Sequence, residues 1–180
     1  MQVSAGRSRA PHPVAANRRR DCGVTLSRWL QDRPDLLETS YRLTDWVVRA
    51  SEPLLRRLGS SAEPVFEQGE RVTKGWLFDC RMCGMCVLHD TGMTCPMTCP
   101  KEMRNGPCGG VRLDGKCEVI PEMDCVWNLA WERSERMEPF GDRIMIVQPP
   151  VDRLLEGSSS WLNALSGRDQ VAPTDWISSS

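Results

Sequence analysis

Hydrophobic positions recur at helical spacing in the first half of the chain and lose that rhythm in the second. Beyond Asp32-Arg33-Pro34-Asp35, Leu36, Leu43, Val47 and Ala50 mark one apolar face of a helix. Asp32 is the expected N-cap, and Pro34 falls in the first turn, where no amide donor is needed. Ser51-Glu52-Pro53 breaks or restarts that helix, because proline lacks the donor and clashes with the preceding turn. A short piece through Leu54, Leu55 and Leu58 is expected to end near Gly59, with Arg56 and Arg57 at its favourable C-terminal end. A further helix is predicted from Glu63-Pro64 to Lys74, closing at Gly75. The apolar stripes on these helices read as scaffold core rather than as a binding groove.

Residues 80–120 are dense in Gly, Pro, Thr and Cys and show neither helical nor strand periodicity. Within them Val111–Val119 predicts a hairpin, since Asp114-Gly115 suits a two-residue turn. Pro121 opens a predicted helix in which Met123, Val126, Trp127 and Ala130 share a face. Cys125 lies off that face. After Pro139, Ile144–Val147 is apolar, Pro149-Pro150 is a stiff extended joint, and Trp161, Leu162 and Leu165 suit a short helical anchor. Trp176 stands alone. No internal repeat suggests a solenoid. The expected fold is a small α+β protein: a helical N-terminal region, then a loop-rich, cysteine-ligated domain with a short hairpin and a following helix. The expected division is a disordered basic tail at 1–23, a helical scaffold or docking region at 24–75, a cysteine-rich domain at 76–138 and an extended docking segment at 139–180.

Composition narrows the function classes. The 180 residues carry a net charge of −1, so no global field favours nucleic acid. The local exception is Arg7, Arg9, Arg18, Arg19 and Arg20, unopposed by any acid in residues 1–20, which reads as a solvated arm. No run of about 18 apolar residues offers a membrane span, and no apolar core of a secretory signal follows the arginines. A cytoplasmic location is expected, where thiols stay reduced and clustered cysteines point to metal rather than disulfides.

Eight cysteines are clustered: Cys80, Cys83, Cys86, Cys95, Cys99, Cys108, Cys117 and Cys125. Two four-thiolate sites use them without remainder, and both zinc and iron–sulfur clusters accept four cysteines. Cys80-x2-Cys83-x2-Cys86 is the informative spacing. Three thiolates on one curved loop can each take a different corner of a 4Fe–4S cubane, whereas one zinc ion needs four donors converging on a point. Cys95-Pro96 and Cys99-Pro100 share the Cys-Pro step of bacterial ferredoxins, but a second CxxCxxC is absent. Two 4Fe–4S clusters, one cluster plus zinc, and zinc only all remain open, as does the division of ligands. Asn105-Gly106-Pro107-Cys108-Gly109-Gly110 lets backbone amides approach sulfur, or is simply a tight turn. Lys101 and Arg104 are candidate countercharges. His89 is expected to be a hydrogen-bonded residue rather than a ligand, Cys22 a free thiol and His12 a bystander. Glu118, Glu122 and Asp124 read as solvated carboxylates.

The run from Phe78-Asp79-Cys80 to Trp127, with CGMCVLHDTGMTCPMTCPKEMRNGPCGG and then CEVIPEMDCVW, carries a family resemblance. It resembles the cysteine-rich C-terminal domain of methylenetetrahydrofolate reductase, which also occurs as a small companion subunit. The resembling motif covers roughly residues 76–131, with a weaker likeness at Ser158–Trp161. The resemblance implies metal ligation by the eight cysteines, a flavin-containing methylenetetrahydrofolate reductase subunit as partner, and a further protein as electron donor. It implies a non-catalytic electron-transfer subunit, or else a structural zinc adaptor. It supplies no folate or flavin residues. The residues agree: a (β/α)8 barrel needs about 200–250 residues, more than this chain contains, and no GxGxxG or P-loop occurs.

Overall fold

The computed structural model describes residues 24–58 and 63–171. The basic tail at 1–23 with His12 and Cys22, the expected helix end at Gly59, and Trp176 lie outside the described residues. Six α-helices appear among them: α1 (Val24–Gln31), α2 (Pro34–Ala50), α3 (Glu52–Leu58), α4 (Glu63–Phe78), α5 (Val126–Ser134) and α6 (Ser160–Ser166). α1 packs on both α2 and α4, and α6 packs on α4. None is long and apolar enough to cross a membrane.

α2 shows which reading of the amphipathic pattern prevails. Pro34 occupies its first turn and Arg33 the cap position. Asp32 does not cap; its carboxylate lies 3.4 Å from the buried Arg133 guanidinium, and its carbonyl accepts a bond from Arg136. The expected face points outward: Leu36, Leu43 and Val47 are all at least 46% exposed. The buried row is Pro34, Leu37, Glu38 and Val48, with half-buried Tyr41 in the same register. Glu38 hides this row from a hydrophobicity reading. It is buried because its carboxylate accepts the Phe140 N–H at 2.8 Å.

α4 runs past Gly75 to Phe78, because Leu77 and Phe78 pack against the main core. Asp79 ends it in the left-handed region at φ 51°, and the Cys80 N–H turns back to the Lys74 carbonyl. That core is made largely by a loop. Leu88, Met93, Cys95 and Met97 join Leu37 and Met137 in it. Two short 3-10 turns, Leu88–Asp90 and Pro96–Thr98, shape this buried stretch. Its backbone needs internal partners. Thr91 Oγ1 lies 2.9 and 2.7 Å from the Val87 and Thr94 carbonyls, and Thr98 donates to the Cys95 carbonyl at 2.7 Å.

The α+β expectation fails. No strand forms among the described residues; Val111–Val119 is reduced to two isolated antiparallel bridges, Val111 with Cys117 and Lys116 with Asp124. The turn itself forms, with Gly115 at φ 76° and its N–H bonded to the Arg112 carbonyl. Beyond Lys116 the chain changes partner. Cys117 N–H donates to Met123 O and Cys125 N–H to Gly115 O, so no ladder accumulates along Val111. The helix expected from Pro121 starts only at Val126, because residues 123–125 are engaged in these bonds.

Candidate metal centre

The eight cysteines among the described residues are free thiols. Cys80, Cys83, Cys86 and Cys95 line one cavity, together with Met82, Met85, Met97, Lys74 and Arg104. Glu70, Ser158 and Ser160 also line it. Its loop is curved by two residues in the left-handed region, Met82 at φ 50° and Gly84 at φ 75°. Such conformations cost a non-glycine residue about 1–2 kcal/mol. At Gly84 a side chain is also excluded by space, since a Cβ would stand 2.2 Å from the Leu155 carbonyl oxygen.

A strap from the C-terminal part holds this loop from outside. Gly157 N–H donates to Met82 O at 2.7 Å, Asn163 Nδ2 to Gly84 O at 3.0 Å, and Asp152 N–H to Met85 Sδ at 3.1 Å. Residues between the ligand candidates are thereby fixed. The strap is anchored by α6, whose N-terminus is received by Glu70. Ser159 Oγ, Ser160 Oγ and the Trp161 N–H donate to the Glu70 carboxylate at 2.6, 2.7 and 3.1 Å. Gly167, at φ 71°, closes α6.

The electrostatics favour bound positive charge. Burial raises the Cys80 thiol to about 11, with Cys86 and Cys83 adding to the rise. Burial and then the neighbouring Cys80, Cys86 and Cys83 push Cys95 up to about 12. Thiolates placed together repel one another, and a cation beside them offsets that repulsion. Lys74 and Arg104, each 8% exposed, line the cavity, and Glu70, which lines it too, pairs with Lys74 at 3.0 Å. Arg104 Nε has no hydrogen-bond partner. Backbone amides also serve sulfur with the same i+2 offset at three cysteines: Met82 N–H to Cys80 at 3.4 Å, Gly110 N–H to Cys108 at 3.4 Å, and Met97 N–H to Cys95. Amide bonds to sulfur favour its anionic form.

Of the later cysteines, Cys125 and Cys108 lie beside Trp127. Cys125 is buried with Trp127 and Ala130, and Cys108 packs against them. Cys117 is tied into the same loop by its bond to Met123, and Cys99 is buried at the end of the 3-10 turn that Cys95 opens. Lys101 Nζ lies 3.6 Å from Cys108 Sγ and also pairs with Glu118. Gly106 sits directly on the Trp127 ring, where a Cβ would clash at 2.4 Å. Among the described residues no three His, Cys, Asp or Glu side chains converge as one ion requires. The first four thiols line one cavity. Four cysteines are the donor type and number that one 4Fe–4S cluster takes, and equally the donors of one zinc ion.

His89 is not among the cavity-lining residues. It stacks on Tyr41 at 5.0 Å, with Nε2 3.3 Å from Asp90, and burial lowers its pKa. Lys74 and Glu70 were missed by sequence reading. Their i,i+4 spacing resembles any surface pair, and only their burial reveals a role.

A family model described as methylene-tetrahydrofolate reductase C terminal matches residues 60–153, more than half of the chain. That span includes all eight clustered cysteines. No curated protein and no solved structure matches.

Proposed function

The chain belongs to the methylene-tetrahydrofolate reductase C-terminal family, and from that premise we propose that it is the iron–sulfur subunit that relays electrons to the flavin of a partner catalytic subunit. The observation that carries this reading is the gathering of Cys80, Cys83, Cys86 and Cys95 around one cavity with Lys74 and Arg104 in its wall. A bound 4Fe–4S cluster supplies one-electron transfer. The chain's own residues ligate, exclude water and supply compensating charge. Cys108, Cys117, Cys125 and Cys99 are the remaining donors for a second group. A cluster held by these cysteines would take single electrons from a one-electron donor protein and would pass them on to the partner's flavin.

The rival is a structural zinc adaptor, which would take four of the same cysteines as donors. The test is anaerobic coexpression with the flavoprotein, followed by flavin reduction by a one-electron donor, with and without Cys83→Ser. The proposal expects reduction to stop in the variant. Unchanged reduction overturns the relay.

A further inference from the structure

We propose that Arg104 is the counter-ion of the first thiol group: a buried guanidinium whose partner is the negative charge that Cys80, Cys83, Cys86 and Cys95 carry once they hold metal. This rests on the reading of those four cysteines as one metal-binding group, and it holds for iron–sulfur and zinc alike. Three charged residues line the cavity: Glu70, Lys74 and Arg104. Glu70 and Lys74 offset each other at 3.0 Å, which leaves Arg104 as the uncompensated charge. Arg104 is 8% exposed, and its buried Nε has no hydrogen-bond partner. It has no ion pair among the described residues. Glu70 is taken up by Lys74, Ser159, Ser160 and Trp161, and Glu102, the acid nearest in sequence, by Arg153. Arginine does not shed its proton inside a protein, so burial does not neutralise it. A buried ion without a partner is strongly destabilising, and an orphaned polar group of this kind calls for one.

The surrounding loop holds the residue in place. Asn105, the next residue, is bound to Gln148 in both directions: its Nδ2 donates to the Gln148 carbonyl at 2.8 Å, and its Oδ1 accepts the Gln148 N–H at 2.7 Å. Gln148 Nε2 in turn donates to buried Asp90 at 2.9 Å. Four cysteine thiolates carry more negative charge than one Zn²⁺ ion or one 4Fe–4S core returns, so the loaded group is anionic with either occupant. An anion in this cavity and the guanidinium in its wall stabilise each other. Arg104 therefore weakens the metal-free protein and favours the metal-bound one.

The test compares wild type, Arg104→Met and Arg104→Lys in the whole chain by two measurements. The first is the rate at which metal passes to EDTA without oxygen; the phase that Cys83→Ser abolishes belongs to the first thiol group. Arg104→Met is expected to release that metal at least about tenfold faster than wild type, and Arg104→Lys, which keeps the charge, within about threefold of it. The second is the urea midpoint of the metal-free protein. There Arg104→Met, relieved of a buried charge, is expected to unfold at a midpoint about 0.5 M or more above wild type. An arginine needed only for packing gives the opposite pattern: both variants release metal alike, and metal-free Arg104→Met unfolds at lower urea. Either result overturns the proposal, as does metal release from Arg104→Met at the wild-type rate. Should Arg104→Met not fold, Arg104→Gln, also neutral, is read the same way. A metal inventory of wild type, taken first, separates this failure from that of the electron relay: zinc without labile sulfide defeats the relay and leaves the pairing of Arg104 standing. If Cys83→Ser removes no phase, the first thiol group holds no metal, and the proposal falls with that reading.

Discussion

Gly84→Ala is the sharpest perturbation of the cysteine loop, because it adds one carbon and no charge. Gly84 lies between Cys83 and Met85 at φ 75°. The left-handed conformation costs an alanine about 1–2 kcal/mol. The new Cβ would also stand 2.2 Å from the Leu155 carbonyl oxygen and 2.8 Å from its Cβ. That neighbour is strap backbone and cannot rotate away. Overpacking of this kind costs typically about 1–3 kcal/mol, so the total is about 2–5 kcal/mol, a large part of an ordinary domain's stability. Urea unfolding of the metal-free protein measures it, with Gly109→Ala as control. Gly109 has open space around its Cβ position and is expected to change stability by no more than about 0.5 kcal/mol. Equal midpoints for the two variants would refute the packing of strap on loop.

Asn163→Ala removes the buried donor to the Gly84 carbonyl; a loss of about 1–3 kcal/mol is expected in the same assay, and a change below about 0.5 kcal/mol would contradict it. Glu70 carries a pH signature. Burial would raise its pKa, but Lys74 and the bonds from Ser159, Ser160 and Trp161 hold it below the ordinary 4.5. Its contribution is therefore fully present above 4.5 and lost as pH falls through the lower folded value. The stability gap between wild type and Glu70→Gln should be constant near neutrality and narrow on acidification; a gap independent of pH from about 6 to 3 would refute the assignment. Trp46→Ser, on the outward face of α2, should leave stability within about 0.5 kcal/mol, and a larger loss in urea would mean that the face is covered.

Legibility in the sequence followed how local each signal was. Pro34, Pro53 and the Glu63-Pro64 start act on their own turns, and those boundaries are where the residues put them. The outward Leu36, Leu43 and Val47 row misled because the true core row contains Glu38, whose burial depends on Phe140 some hundred residues later. Gly75 did not end α4 because Leu77 and Phe78 gain more from the core than glycine loses in helical entropy. The hairpin failed through competition: Cys117 and Cys125 have local partners that a two-strand pattern does not reveal. Of the candidate centre, CRMCGMC was readable because its three cysteines are neighbours in sequence. That Cys95 joins them, and that Lys74 stands beside them, depends on packing between distant segments.

The central claim is that sulfur ligands here hold iron clusters. The most direct measurement is iron, acid-labile sulfide and zinc on protein purified without oxygen, alongside its EPR spectrum after reduction. Two 4Fe–4S clusters would give a brown protein with about eight iron and about eight sulfide per chain. Colourless protein carrying zinc, with no labile sulfide, would contradict the claim.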